Sequence, residues 1–206
     1  RDTKMTHQSS IRCYDGATAI ITGGASGIGR ALAEALASRG CEVVLADLQI
    51  DLAHEVVSQI VAAGGRARAV ELNVVDHDAF KKVVDDTVAQ SGRLDYLFNN
   101  AGIGVGGPVE RVELKHWHHI LDVNIRGVVH GSHAAYPIMA EQGFGHIINT
   151  ASMAGLMPTP GMVPYGATKY AVVGLSHSWR IEAAMKGVRV SALCPGAIRT
   201  PILMTG

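Results

Sequence analysis

The feature that most constrains the fold is an alternation of short aliphatic runs with longer amphipathic stretches. The runs are strand candidates and cover residues 17–22, 42–46, 67–72, 96–98, 146–149 and 188–193. The stretches between them have helical periodicity and cover residues 29–38, 51–63, 76–90, 113–141 and 165–186. This alternation is typical of βαβ units, and strands that are apolar throughout are covered by helices on both faces. We therefore predict a doubly wound α/β fold, with six βα pairs and a parallel sheet of about six strands.

Length and charge narrow the organisation and the ligand. A chain of 206 residues suits one domain with a sizeable core. Residues 1–14 are polar and lack an apolar period, so we interpret them as a flexible leader to a single domain at residues 15–206. The formal net charge is zero and there is no block of Lys or Arg, which argues against binding to nucleic acid or to an anionic membrane. The expected ligand is a small molecule.

Cysteine usage and hydropathy indicate the compartment. The three cysteines are an odd number without paired spacing, and Cys41 and Cys194 lie in apolar strand-like runs. We interpret these two as buried thiols in a reducing compartment. No apolar run approaches the ~20 residues of a membrane span, and there is no apolar signal segment. We therefore predict a cytoplasmic protein.

A glycine-rich segment, Thr-Gly-Gly-Ala-Ser-Gly-Ile-Gly at residues 22–29, lies directly between the first strand and the first helix. A phosphate-binding turn belongs at this place, because glycine lets the backbone approach a pyrophosphate and the helix N-terminus offers N–H groups. The spacing Gly-x-x-x-Gly-x-Gly departs from the usual fingerprint, and the alternative is a glycine-rich turn without a ligand. The predicted cofactor contacts here are Gly23, Ser26, Gly27, Ile28 and Gly29.

An acidic residue indicates which coenzyme is preferred. Asp47 follows the second strand, eighteen residues after Gly29, where a carboxylate can accept hydrogen bonds from both adenosine ribose hydroxyls. The same carboxylate would repel a 2′-phosphate, and residues 48–50 contain no Arg or Lys. We predict NAD rather than NADP. The alternatives for Asp47 are a helix N-cap and a solvated loop acid.

The catalytic prediction starts from Tyr165 and Lys169. Residues four apart on a helix lie on one face, so the phenol and the ammonium would be neighbours. The ammonium favours the phenolate, which would let Tyr165 exchange a proton near neutral pH. Ser152, thirteen residues upstream, would hold a substrate oxygen against the phenol. The three residues predict carbonyl/alcohol interconversion, although Tyr and Lys at this spacing alone are often ordinary surface neighbours.

Taken together, these motifs resemble a classical short-chain dehydrogenase/reductase from about residue 17 to the end of the chain. The resemblance rests on residues 22–29, Asn99-Asn100-Ala101-Gly102, Asn124 in Asn-Ile-Arg-Gly, Ser152, Tyr165 with Lys169, and Pro195-Gly196. It implies that Tyr165 is the acid/base, Lys169 binds the nicotinamide ribose, Ser152 positions the substrate and Asn124 holds a water. The further cofactor contacts that it implies are Asn73, Val74, Asn100, Ala101, Gly102, Tyr165, Lys169, Pro195, Gly196, Ile198 and Thr200.

Two departures from the family follow from the same comparison. Asn73 stands where the family usually has Asp, which leaves adenine binding possible through the amide oxygen. Members of the family normally continue past Thr200 into a helical lid and a seventh strand, and these are predicted to be missing here. Either the sequence is a fragment, or the protein lacks its lid, which would bare the edge of the sixth strand.

The sequence thus predicts an NAD-dependent oxidoreductase that interconverts a secondary alcohol and a ketone. The alternatives are a 3-oxoacyl thioester reductase that uses NADPH and a catalytically silent nucleotide-binding scaffold. Met153, Met157 and Met162 suggest an apolar substrate wall, with ordinary packing as the alternative. The histidines at 116, 118 and 119 point to different sides of a helix, so no metal site is predicted.

The resemblance also implies assembly into a homodimer or homotetramer through two long helices. In segment 113–141, Val128, Ala135 and Ile138 are expected on the outer face. The small residues Gly127, Gly131 and Ala134 would let a second helix approach. Segment 165–186 would lie beside it in the interface.

Overall fold

The computed structural model describes residues 13–200 and 202. Six parallel strands form one sheet in the order β3-β2-β1-β4-β5-β6. The strands are β1 Thr18–Thr22, β2 Glu42–Asp47, β3 Arg66–Glu71, β4 Tyr96–Asn99, β5 Gly145–Thr150 and β6 Val188–Leu193. The prediction of a doubly wound sheet is confirmed, and every predicted strand boundary is within one residue. The strand order reverses between β1 and β4, the place where open α/β sheets bind ligands.

Helices cover both faces of this sheet. They are α1 Gly27–Ala37, α2 Ile50–Ala62, α3 His77–Ser91, α4 Leu114–Leu121, α5 Gly127–Gln142 and α6 Val163–Ala184. The predicted helix at 113–141 is divided, because the five residues Asp122–Arg126 form a π-helical turn between α4 and α5. The prediction of six βα pairs exceeds what is described, since residues 194–200 after β6 contain no helix. No described helix has the length and apolarity that crossing a membrane requires.

The core consists of two apolar layers, one on each face of the sheet. Successive strand residues point to opposite faces, so Ile20 packs in a layer with Phe80, whereas Ile21 packs in the other layer with Val43 and Val56. The first layer includes residues of α3 and α5, and the second includes residues of α1 and α2. Burial on both faces explains why the strand sequences are apolar at successive positions.

The expectation that Val128 and Ala135 lie on an outer face of α5 is wrong, whereas Ile138, expected on the same face, is half-buried. Val128, Ala134 and Ala135 are buried in the core. Gly131 is small because α5 lies tightly on its neighbours: a Cβ there would be 2.5 Å from Cζ of Phe80. These residues therefore pack inside the protomer.

The predictions for the N-terminal leader and for the cysteines have different outcomes. Residues 1–12 of the predicted leader and residues 201 and 203–206 lie outside the described residues. The carbonyl of Cys13 accepts a hydrogen bond from the Tyr96 hydroxyl at 2.8 Å. Cys41 is buried as predicted, and burial raises the pKa of its thiol to about 12. Cys194 is only half-buried and Cys13 is exposed.

Candidate active site

A set of hydrogen bonds joins the carboxyl ends of β1 and β4 and thereby forms the floor of the site. Thr22 Oγ1 accepts from the backbone N–H groups of Asn100 at 2.9 Å and Ala101 at 3.0 Å. The Asn100 side chain in turn donates to the Thr22 carbonyl at 3.0 Å. Both chain segments leave the sheet at the strand-order reversal, so these bonds fix the crevice between them.

The glycine-rich segment forms a tight turn into α1. Gly23 has a φ of +63°, which favours glycine, and a Cβ on Gly29 would lie only 2.0 Å from the Gly23 carbonyl oxygen. The helix can therefore begin directly against the turn. Ser26 precedes α1 and makes no side-chain capping hydrogen bond. Such a helix N-terminus, with N–H groups at its first turn, suits a phosphate group.

One cavity of about 630 Å³ extends from this turn to the start of α6. Fourteen of the predicted site residues line it: Gly23, Ser26, Gly27, Ile28, Asn100, Ala101, Gly102, Ser152, Tyr165, Lys169, Pro195, Gly196, Ile198 and Thr200. Its volume is within the range of ligand and cofactor sites. Among the described lining residues, Lys169 is the only one with a charged side chain. The cavity therefore offers backbone groups and neutral side chains to a ligand almost everywhere.

Five predicted site residues, Gly29, Asp47, Asn73, Val74 and Asn124, do not line the cavity. Gly29 packs against the glycine-rich turn without lining the cavity. The exposed Asn73 uses its amide oxygen to accept from Val75 N–H at 3.1 Å, and Val74 is buried. Their predicted contacts with adenine stay a prediction.

Asp47 braces the glycine-rich turn. One carboxylate oxygen accepts from the Ala25 N–H and the other from the Gln49 N–H, each at 2.9 Å. The side chain is buried, and the residue that caps α2 is Gln49, so neither alternative interpretation of Asp47 holds. Each oxygen keeps a second lone pair for a further donor.

Tyr165 and Lys169 lie side by side in the first turns of α6, as predicted. The Lys169 Nζ is 5.5 Å from the Tyr165 ring centroid. The ammonium donates to the Thr150 carbonyl at 2.8 Å and is only 3% exposed. This burial lowers the pKa of Lys169 to about 8, against a smaller opposing effect of Cys194. The cation is therefore held at the cavity wall at an electrostatic cost.

Ser152 and Asn124 occupy different positions relative to this pair. The Ser152 hydroxyl oxygen accepts from Ala154 N–H at 3.1 Å, which fixes the side chain at the cavity wall. Asn124 is buried in the π-helical turn: its amide accepts from Ile103 N–H at 2.9 Å and donates to the Ile103 carbonyl at 3.0 Å and to Thr168 Oγ1 at 3.1 Å. Asn124 thus ties the loop after β4 to α6, and its predicted water remains untested.

Comparisons with known proteins agree with this geometry. Residues 17–205 match the sequence profile of the short chain dehydrogenase family. The chain is 38% identical to a cyclohexanol dehydrogenase of Acinetobacter sp. (strain SE19) over 92% of its own length and 76% of that protein's. It is 35% identical to a 3-oxoacyl-[acyl-carrier-protein] reductase, FabG, of Thermotoga maritima, over 91% and 76% of the two lengths.

The solved structures give the same result. A short-chain dehydrogenase/reductase from Burkholderia phymatum in complex with NAD has a TM-score of 0.89 and 38% identity, covering 92% of this chain and 68% of that one. This chain belongs to the short-chain dehydrogenase/reductase family. A putative NAD(P)-dependent gluconate 5-dehydrogenase from Beutenbergia cavernae with bound NADP has a TM-score of 0.85 and 37% identity, covering 90% and 74%.

In this short-chain dehydrogenase/reductase, several site residues were not among the predicted ones. Gln49, Ile103 and Thr150 line the cavity, and each follows or ends a strand at the carboxyl edge of the sheet. That position was a signal in the sequence, because ligands bind at this edge. The methionines at 153, 157 and 162 also line the cavity, together with Ile202.

The burial of Lys169 predicts a specific pH dependence of stability. Because the folded state lowers the Lys169 pKa from 10.5 to about 8, the unfolded chain binds the proton more tightly, so stability should rise as the pH rises between these values. Lys169→Met removes this dependence. The free energy of unfolding of the parent, relative to Lys169→Met, is expected to increase by about 2 kcal/mol from pH 7 to pH 10.

Chemical denaturation of both proteins, without coenzyme, at several pH values measures this difference. Lys186→Met, at a lysine outside the cavity, is the matched control. The difference in free energy of unfolding between the parent and Lys186→Met should show no comparable change with pH. A parent and a Lys169→Met variant whose curves stay parallel would contradict the electrostatic cost.

Proposed function

We propose that this protein is an NAD-dependent oxidoreductase that interconverts a secondary alcohol and a ketone. The observation that carries the proposal is that Ser152, Tyr165 and Lys169 line the same cavity as the glycine-rich turn. A proton-transfer group and a nucleotide-binding turn thereby share one space. Relatives named as dehydrogenases and reductases support this choice of reaction class.

The catalytic step assigns one task to each side chain. Tyr165 accepts the proton from the alcohol, or donates it to the ketone in reverse. Lys169 Nζ lies 5.5 Å from the centroid of the Tyr165 ring and places a positive charge beside the residue that transfers the proton. Ser152, fixed by Ala154 N–H, holds the substrate oxygen at the same wall. Asn124 is a positioning residue, since it links the loop at Ile103 to α6.

The residues around the turn fit a dinucleotide. The pyrophosphate would lie at the N-terminus of α1, where Ser26, Gly27 and Ile28 line the cavity and the glycines leave room for close approach. Residues 195–200 and Lys169 would border the nicotinamide ribose end. When bound, the nicotinamide supplies the hydride acceptor or donor for the substrate carbon.

NAD is favoured over NADP because of what surrounds Asp47. Its carboxylate lies at the end of β2, and residues 48–50 supply no cation to neutralise a 2′-phosphate. The buried position keeps the charge close to the turn, where solvent screens it poorly. Some solved relatives hold NAD and another holds NADP, so this choice depends on the chain's own residues.

The second candidate is a 3-oxoacyl thioester reductase that uses NADPH. Two relatives named 3-oxoacyl-[acyl-carrier-protein] reductase are 35% and 39% identical to the chain. Asp47 disfavours it through the coenzyme. A catalytically silent scaffold is disfavoured because Ser152, Tyr165 and Lys169 are all present and line one cavity.

The first test of the proposal is coenzyme choice. NAD should bind more tightly than NADP, and Asp47→Ala should narrow the ratio of the two dissociation constants at least tenfold (about 1.4 kcal/mol) by relieving repulsion of the 2′-phosphate. NAD affinity should fall as well, because Ala25 N–H loses its acceptor. Fluorescence titration with both reduced coenzymes measures the ratio. Asp51→Ala, on the first turn of α2, is the control, and equal affinities in the parent would refute this role of Asp47.

The second test addresses the acid/base. Tyr165→Phe removes one hydroxyl and should lower turnover at least ~100-fold, with coenzyme affinity little changed. Tyr170→Phe changes an exposed tyrosine of the same helix and should leave turnover unaltered. Turnover is followed by NADH formation with a panel of secondary alcohols. A Tyr165→Phe enzyme that keeps most of its activity would exclude the mechanism.

Homo-oligomer formation is part of the proposal, and the surface of α6 supports it. Tyr170, Ile181 and Met185 are 47%, 75% and 88% exposed. With the exposed Gly174 and His177, their spacing of three and four residues places them on one stripe. A Cβ on Gly174 would have nothing within 4 Å, so a second helix can come close at this point. An α6–α6 contact between two copies would cover the stripe.

This contact predicts that Ile181→Glu produces a monomer. The parent should have twice the chain mass, or four times in a tetramer, by light scattering at micromolar concentration. Val61→Glu, at an exposed valine of α2, should keep the parent's mass. A monomeric parent, or an Ile181→Glu variant of unchanged mass, would contradict the interface.

A further inference from the structure

The segment that carries Ser152 lies directly on the backbone of α6. Ser152 follows β5, and residues 153–155 form a single 3₁₀ turn after it, which we call the serine turn. The turn ends at the buried Gly155, where a Cβ atom would lie 2.5 Å from the Lys169 carbonyl oxygen and 2.7 Å from its carbonyl carbon. We propose that Gly155 is a positioning residue: because it has no side chain, the serine turn approaches α6 closely enough to hold Ser152 at the right distance from Tyr165.

Gly155 supplies space rather than an unusual backbone conformation. Its φ is not positive, so the backbone at this position does not itself favour glycine. An added Cβ would instead meet the peptide bond between Lys169 and Tyr170, with the Tyr170 nitrogen 3.2 Å away. Ordinary contacts begin at 3.4 Å, so the turn would have to retreat from the helix backbone by about 0.9 Å to accept a methyl group.

Lys169 contacts this segment on both sides of Ser152. Two residues before the serine, the Thr150 carbonyl accepts from Lys169 Nζ at 2.8 Å. Three residues after it, Gly155 lies against the Lys169 carbonyl. The Gly155 N–H donates to the Ser152 carbonyl at 2.9 Å, so the glycine and the serine move together. A wider separation at Gly155 therefore turns the segment about its contact at Thr150 and displaces Ser152.

Of the two elements, the serine turn is the one that can move. The helix α6 has 22 residues and is tied to the π-helical turn by the hydrogen bond from Asn124 to Thr168 Oγ1, at 3.1 Å. The serine turn has one side open to solvent, where Met153 is exposed. An added methyl group therefore displaces the turn, and Ser152 with it, whereas Tyr165 keeps its place in α6.

Such a displacement affects turnover more than coenzyme binding. This inference rests on the proposed function, in which Ser152 holds the substrate oxygen while Tyr165 exchanges the proton. A misplacement of ~1 Å can lower a rate ~100-fold, because the reacting groups no longer meet in a productive geometry. The glycine-rich turn that would hold the pyrophosphate lies between β1 and α1, so its position does not depend on Gly155.

Gly155→Ala tests the proposal through turnover and coenzyme affinity. The variant should have a turnover number at least ~10-fold below that of the parent, measured as NADH formation with secondary alcohols, and a dissociation constant for NADH that is little changed. Gly166→Ala is the matched control on α6. A Cβ on Gly166 would lie at an ordinary 3.6 Å from the Ala154 carbonyl oxygen, so this variant should keep the parent's turnover.

Two further measurements locate the effect at Ser152. Crystal structures of the parent and of Gly155→Ala should show the serine turn displaced from α6, with the backbone of residues 165–169 unchanged. In a Ser152→Ala background, Gly155→Ala should lower turnover no further, because no hydroxyl is left to misplace. A glycine needed only for packing would instead lower turnover by the same factor in both backgrounds.

Several results would overturn the proposal. These are an unchanged turnover of Gly155→Ala, an equal loss with and without the Ser152 hydroxyl, and a variant structure in which α6 moves and Ser152 does not. A Gly155→Ala chain that does not fold would also overturn it, because the glycine would then serve the fold itself. If the parent oxidises no alcohol, the proposed function fails, and the two crystal structures still decide whether Gly155 sets the position of Ser152.

Discussion

The site depends on a buried network of side-chain hydrogen bonds that holds the carboxyl ends of the central strands together. Thr22 accepts the backbone N–H groups of Asn100 and Ala101, so β1 and β4 leave the sheet in a fixed relation. Deeper in the sheet, Asn99 donates to the Asn149 side chain at 2.9 Å, which joins β4 to β5. Such groups are costly to bury unless they are paired. Because these hydrogen bonds join the strands inside the core, the shape of the crevice is fixed by the core itself.

Lys169 shows the cost of placing chemistry on this framework. The Lys169 ammonium donates to the Thr150 carbonyl, but its burial makes the charged form less favourable than in water, which is why its pKa is lowered to about 8. The same burial excludes water from the cation and strengthens its electrostatic interaction with Tyr165, whose ring centroid lies 5.5 Å from Lys169 Nζ. Stability and the proposed catalysis are thus opposed at this residue, as is common at functional sites.

Much of the fold was predictable because strands buried on both faces have a strong apolar signal, and all six were found within one residue. Fourteen of the residues that line the cavity were also predicted as site residues, because the Gly, Ser, Tyr and Lys motifs follow strands or begin helices. The division of the long predicted helix at Asp122–Arg126 could not be predicted from the sequence, because a π-helical turn keeps helical periodicity. The small residues of α5 were assigned to an interface, although Gly131 is required by the Phe80 ring of α3. The brace from Asp47 to Ala25 N–H depends on a tertiary contact that no local pattern shows.

The proposed mechanism requires the cavity to bring a substrate carbon and a nicotinamide together, with Tyr165 taking only the proton. The most direct measurement uses a secondary alcohol with deuterium on its carbinol carbon, NAD and the purified protein, followed by mass spectrometry of the coenzyme. Direct hydride transfer predicts reduced coenzyme that carries one deuterium, together with unlabelled solvent. Deuterium released to water, or no reduced coenzyme with any alcohol of a broad panel, would contradict it.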